Sequence, residues 1–248
     1  MKASSEPGPA RVRDARARGT RGLRREEILT AAAALFARRG FHGVTIDDIG
    51  AAAGLSGPGI YRHFPGKEAM LSEMLLGISQ RLLTEGSRRV VAAPDAGAAL
   101  DTLLRWHVGF ALSQPDLITV HTRELDNVPE PARRQIRRLQ RLYVEEWVTV
   151  ASELNPLVPP SRLRTAVHAM FGLLNSTPHS VSPHGASELP ADTVADLLYA
   201  MARGALEAAA VPAADEPAPA GNLLAHRAQE TDALVTGRRR TGPKQTAA

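Results

Sequence analysis

Residues 45–71 read TIDDIGAAAGLSGPGIYRHFPGKEAML, from Thr45 to Leu71. Thr45 is a good helix N-cap, and Asp48 three residues later completes a capping-box spacing. Ile46 and Ile49 turn inward on a short helix that ends near Ala53. Gly54 suits the turn, and Leu55 plugs the core between two helices. Ser56 caps the next helix. Pro58 falls in its first turn, where the missing N–H costs little. Ile60 and Phe64 point inward, which leaves Tyr61, Arg62 and His63 facing out or sideways. Pro65 and Gly66 break the helix, and Lys67-Glu68 begin another. Two short helices joined by a tight turn have the form of a DNA-binding helix-turn-helix, with Ser56 to Phe64 as the element for the major groove.

Upstream, residues 22–39 predict a strong helix with Ile28, Leu29, Ala32, Leu35 and Phe36 on one face. Gly40 ends it as a left-handed cap, and Phe41 and Val44 lead into the central stretch. Residues 1–20 hold Pro, Gly and Ser with almost no large apolar residue, and are expected to be disordered. They carry Arg11, Arg13, Arg16 and Arg18, with Arg21, Arg24 and Arg25 following; Glu6 and Asp14 are the only acids before Glu26. One reading is a solvated tail. The other is an arm that touches phosphates or a minor groove beside the reading head at 21–67.

Downstream, the helical pattern continues from Lys67 to Val91, with weak interruptions at Gly77 and Gly86. Pro94-Asp95 starts a helix with Leu100, Leu103, Leu104, His107, Val108, Ala111 and Leu112 on a broad apolar face. Gln114-Pro115 breaks it, a shorter helix follows through Leu117, Val120 and His121, and Asp126 to Pro131 form a loop. In 131–154, Ile136, Leu139, Tyr143, Trp147, Val150 and Leu154 share one face, and Arg133, Arg134, Arg137, Arg138 and Arg141 cover much of the rest of its first half. Further helices are expected at 161–177, with Val167, Met170, Phe171 and Leu174 inward, and at 190–211, with Val194, Leu197, Leu198, Met201 and Ala205 on its seam. A loop spans 178–187. The tail at 212–248 is expected to be mostly disordered, apart from a short helix near Leu223–Leu234, with Arg238 to Arg240 solvated. Abundant alanine, leucine, arginine and glutamate, with no alternating strand pattern, predict an all-α protein: an N-terminal head and a helical body at 68–211.

The 248 residues contain no cysteine, which excludes disulfides and thiolate chemistry and fits a cytoplasmic setting. No apolar run reaches the roughly 20 residues of a membrane span, and the basic N-terminus lacks the apolar region of a signal peptide. The net charge of +4 is modest, so the placement of charge matters more than its size. No Gly-rich phosphate loop, nucleophile elbow or His-Glu metalloprotease motif appears. His107, His121, His168 and His179 lie far apart in the chain without a persuasive metal spacing, so neither a metal, a cofactor nor an enzyme is expected.

The central stretch resembles the TetR family of bacterial transcriptional regulators, through Thr45, Ile49, Ala53-Gly54-Leu55-Ser56, Gly59, Tyr61, His63-Phe64, Lys67-Glu68 and Leu71. The resemblance covers residues of about 24–71. It implies that Gly57, Pro58, Gly59 and Arg62, on the helix that Ser56 opens, meet bases, and that Thr45, Tyr61, His63 and Lys67 meet phosphates. Arg62 is the leading candidate for direct readout, since a guanidinium donates two hydrogen bonds to guanine. Arg16, Arg18 and Arg21 supply the arm's charge. Two readings stand for the glycines: close approach to DNA, or relief of a strained turn. Gly50 departs from the family's usual alanine and would loosen the first helix. Asp47 and Asp48 put negative charge near the DNA side. Asp47 either accepts from a cytosine amino group or complements the helix dipole.

The resemblance further implies a homodimer joined by helices 161–177 and 190–211, on a palindromic double-stranded operator. Ala169, Gly172, Ala202 and Ala205 suit close helix packing, though core packing alone also accounts for them. An effector pocket would draw on Trp106, Phe110, Tyr143, Trp147, Phe171 and Asn175; ordinary core is the competing reading for each aromatic. The arginines of 133–141 read as a solvated face, or as an anion site for the phosphates of a coenzyme A thioester. The segments RRLQRLYVEEW and HAMFGLLNST are similar to C-terminal domains of actinobacterial lipid and steroid metabolism regulators. The expectation is a repressor released by an apolar effector such as an acyl-CoA. The alternative is an architectural or constitutive DNA binder with a tightly filled body.

Overall fold

A computed structural model describes residues 9–176 and 189–210, with side chains from Gly22 onward. Among the described residues every regular element is a helix. The order is α1 (Pro9–Arg39), α2 (Ile46–Ala52), α3 (Gly57–Ile60), α4 (Lys67–Ala92), α5 (Ala96–Ser113), α6 (Pro115–Arg123), α7 (Glu130–Leu154), α8 (Pro160–Asn175) and α9 (Ala191–Glu207). Short 3-10 turns follow α6 at Leu125–Asn127 and α9 at Ala208–Ala210.

The first helix corrects an expectation. Pro9 sits in its first turn, and the backbone is helical from there through 20, so the boundary drawn at residue 21 falls inside one element. The physical reason lies in the composition: between Pro9 and Gly19 most residues are Ala and Arg, both strong helix formers. The 178–187 loop and the 212–248 tail lie outside the described residues.

The head packs α1, α2, α3 and the start of α4 around Ile28, Phe36, Phe41, Val44, Ile49, Ile60, Phe64 and Met70, all buried. Gly40 closes α1 at φ +71°, and Gly54 makes the turn at φ +66°, both in the left-handed region that glycine enters without strain. In the body α4 packs on α5 and α7, α7 on α8, and α9 against α8 and α5. α6 is short and lies against α1, so it ties body to head alongside α4. Gly86, read from sequence as an interruption, has a steric task. A Cβ there would stand 2.7 Å from Tyr143 Cε2, so α7 approaches α4 through it. Asp95 caps α5 by accepting from the Ala98 amide at 2.8 Å.

Candidate nucleic-acid interface and effector cavity

The capping box forms at the start of α2. The Asp48 amide donates to Thr45 Oγ1 at 3.1 Å, and the Thr45 amide donates to Asp48 Oδ2 at 2.9 Å. The Thr45 hydroxyl also donates to Asp48 Oδ2 at 2.6 Å, and the Arg39 guanidinium lies 3.4 Å from Oδ1. The hydrogen bonds from Thr45, more than the neighbouring charge of Arg39, hold the Asp48 carboxyl below its usual range. Asp48 therefore acts within the fold, and Asp47 is the exposed acid of α2.

The recognition element is tighter than the Ser56–Phe64 helix expected from sequence. Regular α-helix spans Gly57–Ile60, and hydrogen-bonded turns carry the chain on: the His63 and Phe64 amides donate to Ile60 O at 2.8 and 3.0 Å. Gly57 is buried and faces α2, not the outside; a Cβ on it would lie 2.1 Å from Asp47 Oδ1. Gly50 is equally constrained. A Cβ there would meet Leu55 O at 2.9 Å, while the Leu55 amide donates to Gly50 O at 2.8 Å. Gly50 thus lets the turn fold back onto α2. Gly59 has room: its nearest neighbours to a Cβ are at 3.4 Å and beyond.

The exposed surface of the head presents Thr45, Asp47, Ser56, Pro58, Tyr61 and Arg62, with Gly59 half-exposed among them. His63 is half-buried, and its Nδ1 is enclosed without a hydrogen-bond partner among the described residues. Lys67, expected at phosphates, is engaged within the head. Its ammonium donates to Phe41 O at 2.9 Å and Val44 O at 3.0 Å and stands 4.4 Å over the Phe41 ring. Two of its three protons are committed to the loop before α2. Sequence reasoning also missed Arg25. Its guanidinium pairs with Glu73, donates to His63 O and lies 4.1 Å over the Phe64 ring, clamping α1, the end of the recognition turn and α4 together. Arg16, Arg18 and Arg21 lie on α1 where only the backbone is described.

The body encloses a cavity of about 350 Å³. α4 contributes Ile78, Ser79 and Leu82; α5 contributes His107; α6 contributes Ile118, His121 and Thr122, with Leu125 just after it. α7 adds Gln140, Tyr143 and Val144, and α8 adds His168, Phe171 and Asn175. Of the six aromatic and polar residues singled out from sequence, Tyr143, Phe171 and Asn175 line it. The other three do not. Trp147 is fully buried core, edge-on to Tyr143 and Phe171. Trp106 packs under Arg89, whose guanidinium stands 4.1 Å over its ring. Phe110 lines a separate groove between α1, α4 and the α5–α6 turn. Heptad-like spacing places all of these on buried faces, and the crossing of the helices selects which ones border the void.

His107, His121 and His168, dispersed in sequence, come together on this cavity. Among the described residues no three metal-ligating side chains are grouped to hold an ion. Burial lowers His107 and His121 to about 4 each, so both are neutral at physiological pH. His107 Nδ1 is 3.2 Å from Tyr143 Oη, and His121 Nε2 is 2.8 Å from Gln140 Nε2. Ser79 Oγ, His107 Nε2 and Asn175 Oδ1 are enclosed without a hydrogen-bond partner among the described residues.

On α7, Arg133 is engaged with Glu130, Arg137 lies 3.5 Å from Asp126, and Arg134 lies 3.8 Å from Glu130. Arg138 and Arg141 are exposed. α8 exposes Thr165, Ala169 and Gly172, and α9 exposes Thr193, Leu197, Ala200, Met201 and Gly204. Of the residues expected on the seam of this helix, Leu197 is 50% and Met201 48% exposed, so these two face outward. The core face of α9 is Val194, Leu198, Ala202 and Leu206.

No described helix is long and apolar enough to cross a membrane. The family model for bacterial regulatory proteins of the tetR family matches residues 28–74, and that for the tetracyclin repressor-like C-terminal domain matches 93–206. The HTH-type transcriptional repressor KstR2 of Rhodococcus jostii is 40% identical over 81 residues, 33% of this chain and 40% of the relative's length. Among solved structures, the ketosteroid transcriptional regulator KstR2 of Mycobacterium tuberculosis superposes with a TM-score of 0.64 at 23% identity, covering 73% of this chain and 93% of that one. The regulator FadR from Bacillus subtilis, solved in complex with stearoyl-CoA, gives 0.57 at 16% identity, covering 75% and 99%. With one family model matched on the head and the other on the body, the chain belongs to the TetR family of bacterial regulatory proteins.

Proposed function

We propose that this protein is a homodimeric repressor that leaves a palindromic DNA operator when an apolar effector enters the body. The observation that carries the reading is the course of α4. At its start Lys67 is tied to the carbonyls of Phe41 and Val44 in the head. Three turns on, the same helix supplies Ile78, Ser79 and Leu82 to the cavity wall. A ligand that pushes on α4 therefore moves the head directly. α6 offers a second route, since it borders the cavity with Ile118 and His121 and packs on α1. In a dimer both heads would shift, and successive major grooves would no longer be matched. The exposed Leu197 and Met201 of α9, with Ala200 and Gly204 exposed on the same helix and Ala169 and Gly172 exposed on α8, support dimerisation.

Tyr61, Arg62 and Pro58 are the exposed side chains best placed for the groove, with Arg62 as the base reader. A cavity of about 350 Å³ has the size of a small-molecule site, which favours a sensor over an architectural binder with a filled body. It takes an acyl group and its thioester, not the nucleotide part of a coenzyme A. That part would lie outside, toward the exposed Arg138 and Arg141.

Selection of bound genomic fragments yields the operator, and fluorescence anisotropy then follows its release by acyl-CoAs and free fatty acids. The expected result is a palindromic site whose complex dissociates with an acyl-CoA. Arg62→Ala is expected to lose about 1–3 kcal/mol of discrimination at one base pair of each half-site. A complex that no acyl-CoA or fatty acid dissociates, and whose melting temperature none of them shifts, defeats the effector reading. Equal affinity for random DNA defeats operator recognition.

A further inference from the structure

The cavity is lined by apolar side chains together with Ser79, His107, His121, Thr122, Gln140, Tyr143, His168 and Asn175, and three of these polar residues share one problem. Ser79 and His107 are each 3% exposed, and Asn175 hangs one turn beyond Phe171, whose ring centroid is 4.8 Å from that of His107. Ser79 Oγ, His107 Nε2 and Asn175 Oδ1 are all enclosed and unpartnered among the described residues. Asn175 lies near enough to His107 to favour its protonated form, yet no hydrogen bond of normal geometry joins them. Leaving such groups unpaired is unfavourable, and these three, unlike the other enclosed polar atoms of the protein, border a space that a guest able to satisfy them could fill.

Their donor and acceptor roles follow from the neighbours. The Tyr143 phenol is buried and needs an acceptor for its proton; His107 Nδ1, 3.2 Å away, is that acceptor. The proton of the neutral imidazole then sits on Nε2, which faces the cavity as a donor. Ser79 offers a second donor and Asn175 Oδ1 an acceptor. Among the described residues no Lys or Arg borders the cavity to compensate a buried anion.

Resting on the reading of the body as an effector site, we infer that the cavity, through the unpartnered Ser79, His107 and Asn175 on its wall, recognises an uncharged hydroxyl group on an otherwise apolar ligand. A hydroxyl accepts from His107 Nε2–H and from the Ser79 hydroxyl, and donates to Asn175 Oδ1. A ketone or ester oxygen accepts from the first two and leaves Asn175 unpaired. A free carboxylate brings a charge with no partner. The ligand's oxygen therefore lies at its buried end, away from the mouth where Thr122 and His168 are exposed.

The test is isothermal calorimetry of the full-length protein, without DNA, against three probes of equal chain length: 1-decanol, 2-decanone and decanoate. Decanol is expected to bind tightest, decanone next, and decanoate weaker than decanol by about ten-fold or more. Ser79→Ala removes only a hydroxyl, and Asn175→Leu keeps the side-chain volume; each is expected to weaken decanol by about ten-fold, with Asn175→Leu sparing decanone. Circular dichroism melting of both variants checks that they fold. Tightest binding by decanoate, decanol affinity unchanged in both folded variants, or no binding of any probe overturns the proposal. Because no DNA is present, the outcome is independent of whether the head recognises an operator.

Discussion

Gly50 and Gly57 show how closely α2 and the recognition turn are pressed together. A methyl on Gly50 would meet a backbone carbonyl, Leu55 O, at 2.9 Å, and a backbone shift is needed to relieve it. A methyl on Gly57 would meet only Asp47 Oδ1, the end of an exposed side chain free to rotate away. Gly50→Ala is therefore expected to cost about 1–3 kcal/mol and lower the melting temperature by several degrees. Gly57→Ala should cost less than about 0.5 kcal/mol, since alanine also favours helix. Paired thermal melts measure the contrast, and equal losses would refute it. The spacing of glycines in the sequence shows that something is close to the backbone. It does not show whether that something is DNA or the neighbouring helix, because that depends on how α2 and α3 cross. The same holds for Lys67: its position before a helix suits an anion, yet the carbonyls of Phe41 and Val44 reach it first.

Among the elements, α1 has the largest consequence for DNA binding. Its helix begins at Pro9 and leads without a break into the head, so the arginines ahead of the head are in helical register. At about 100° per residue, Arg18 and Arg21 fall on the side of Arg25, and Arg13 and Arg16 fall opposite. A regular helix sets these two pairs of positions on opposite sides of its axis. The pairs Arg13→Gln/Arg16→Gln and Arg18→Gln/Arg21→Gln are therefore expected to act unequally. One should weaken binding to all duplexes and reduce the salt slope by about 0.9 per lost phosphate contact; the other should do little. Anisotropy titrations across a salt series measure this. Equal losses from the two pairs would mean that the arm does not meet DNA as a helix. Removing residues 1–20 outright would cut α1 in the middle and confuse the two effects.

In the whole molecule, burial of the cavity histidines makes stability depend on pH. His107 and His121 titrate near 4 in the folded protein, below the ordinary histidine value of 6.5. Between these values the unfolded chain binds protons that the folded one does not, so stability is full above about pH 6.5 and falls toward pH 4. Between pH 6.5 and 5 the loss should approach about 2 kcal/mol per histidine. Urea unfolding at pH 7.5, 6.5 and 5 measures it, and His121→Gln should flatten the profile. A midpoint that stays constant down to pH 5 would show that these imidazoles are hydrated in solution.

Local chemistry was enough to place the helices of the head, though not the start of α1 or the length of α3. The capping pair Thr45 and Asp48, the left-handed glycines at 40 and 54, and the buried Ile49, Ile60 and Phe64 all act between near neighbours in the chain. The long helices of the body were equally legible, because a 3.6-residue apolar period needs no knowledge of the partner helix. What periodicity could not assign was the neighbour across each buried face. Trp147 and Tyr143 share one stripe, but the first fills the core and the second borders a void. Leu197 and Leu198 are adjacent leucines on the same helix, yet one is half-exposed and the other buried against the bundle. His107, His121 and His168 come from three helices, and their meeting depends on the angles at which α5, α6 and α8 cross. The sequence around Thr45 to Leu71 thus identifies the reading head through contacts a few residues long, while the cavity is a product of long-range packing that no single segment encodes.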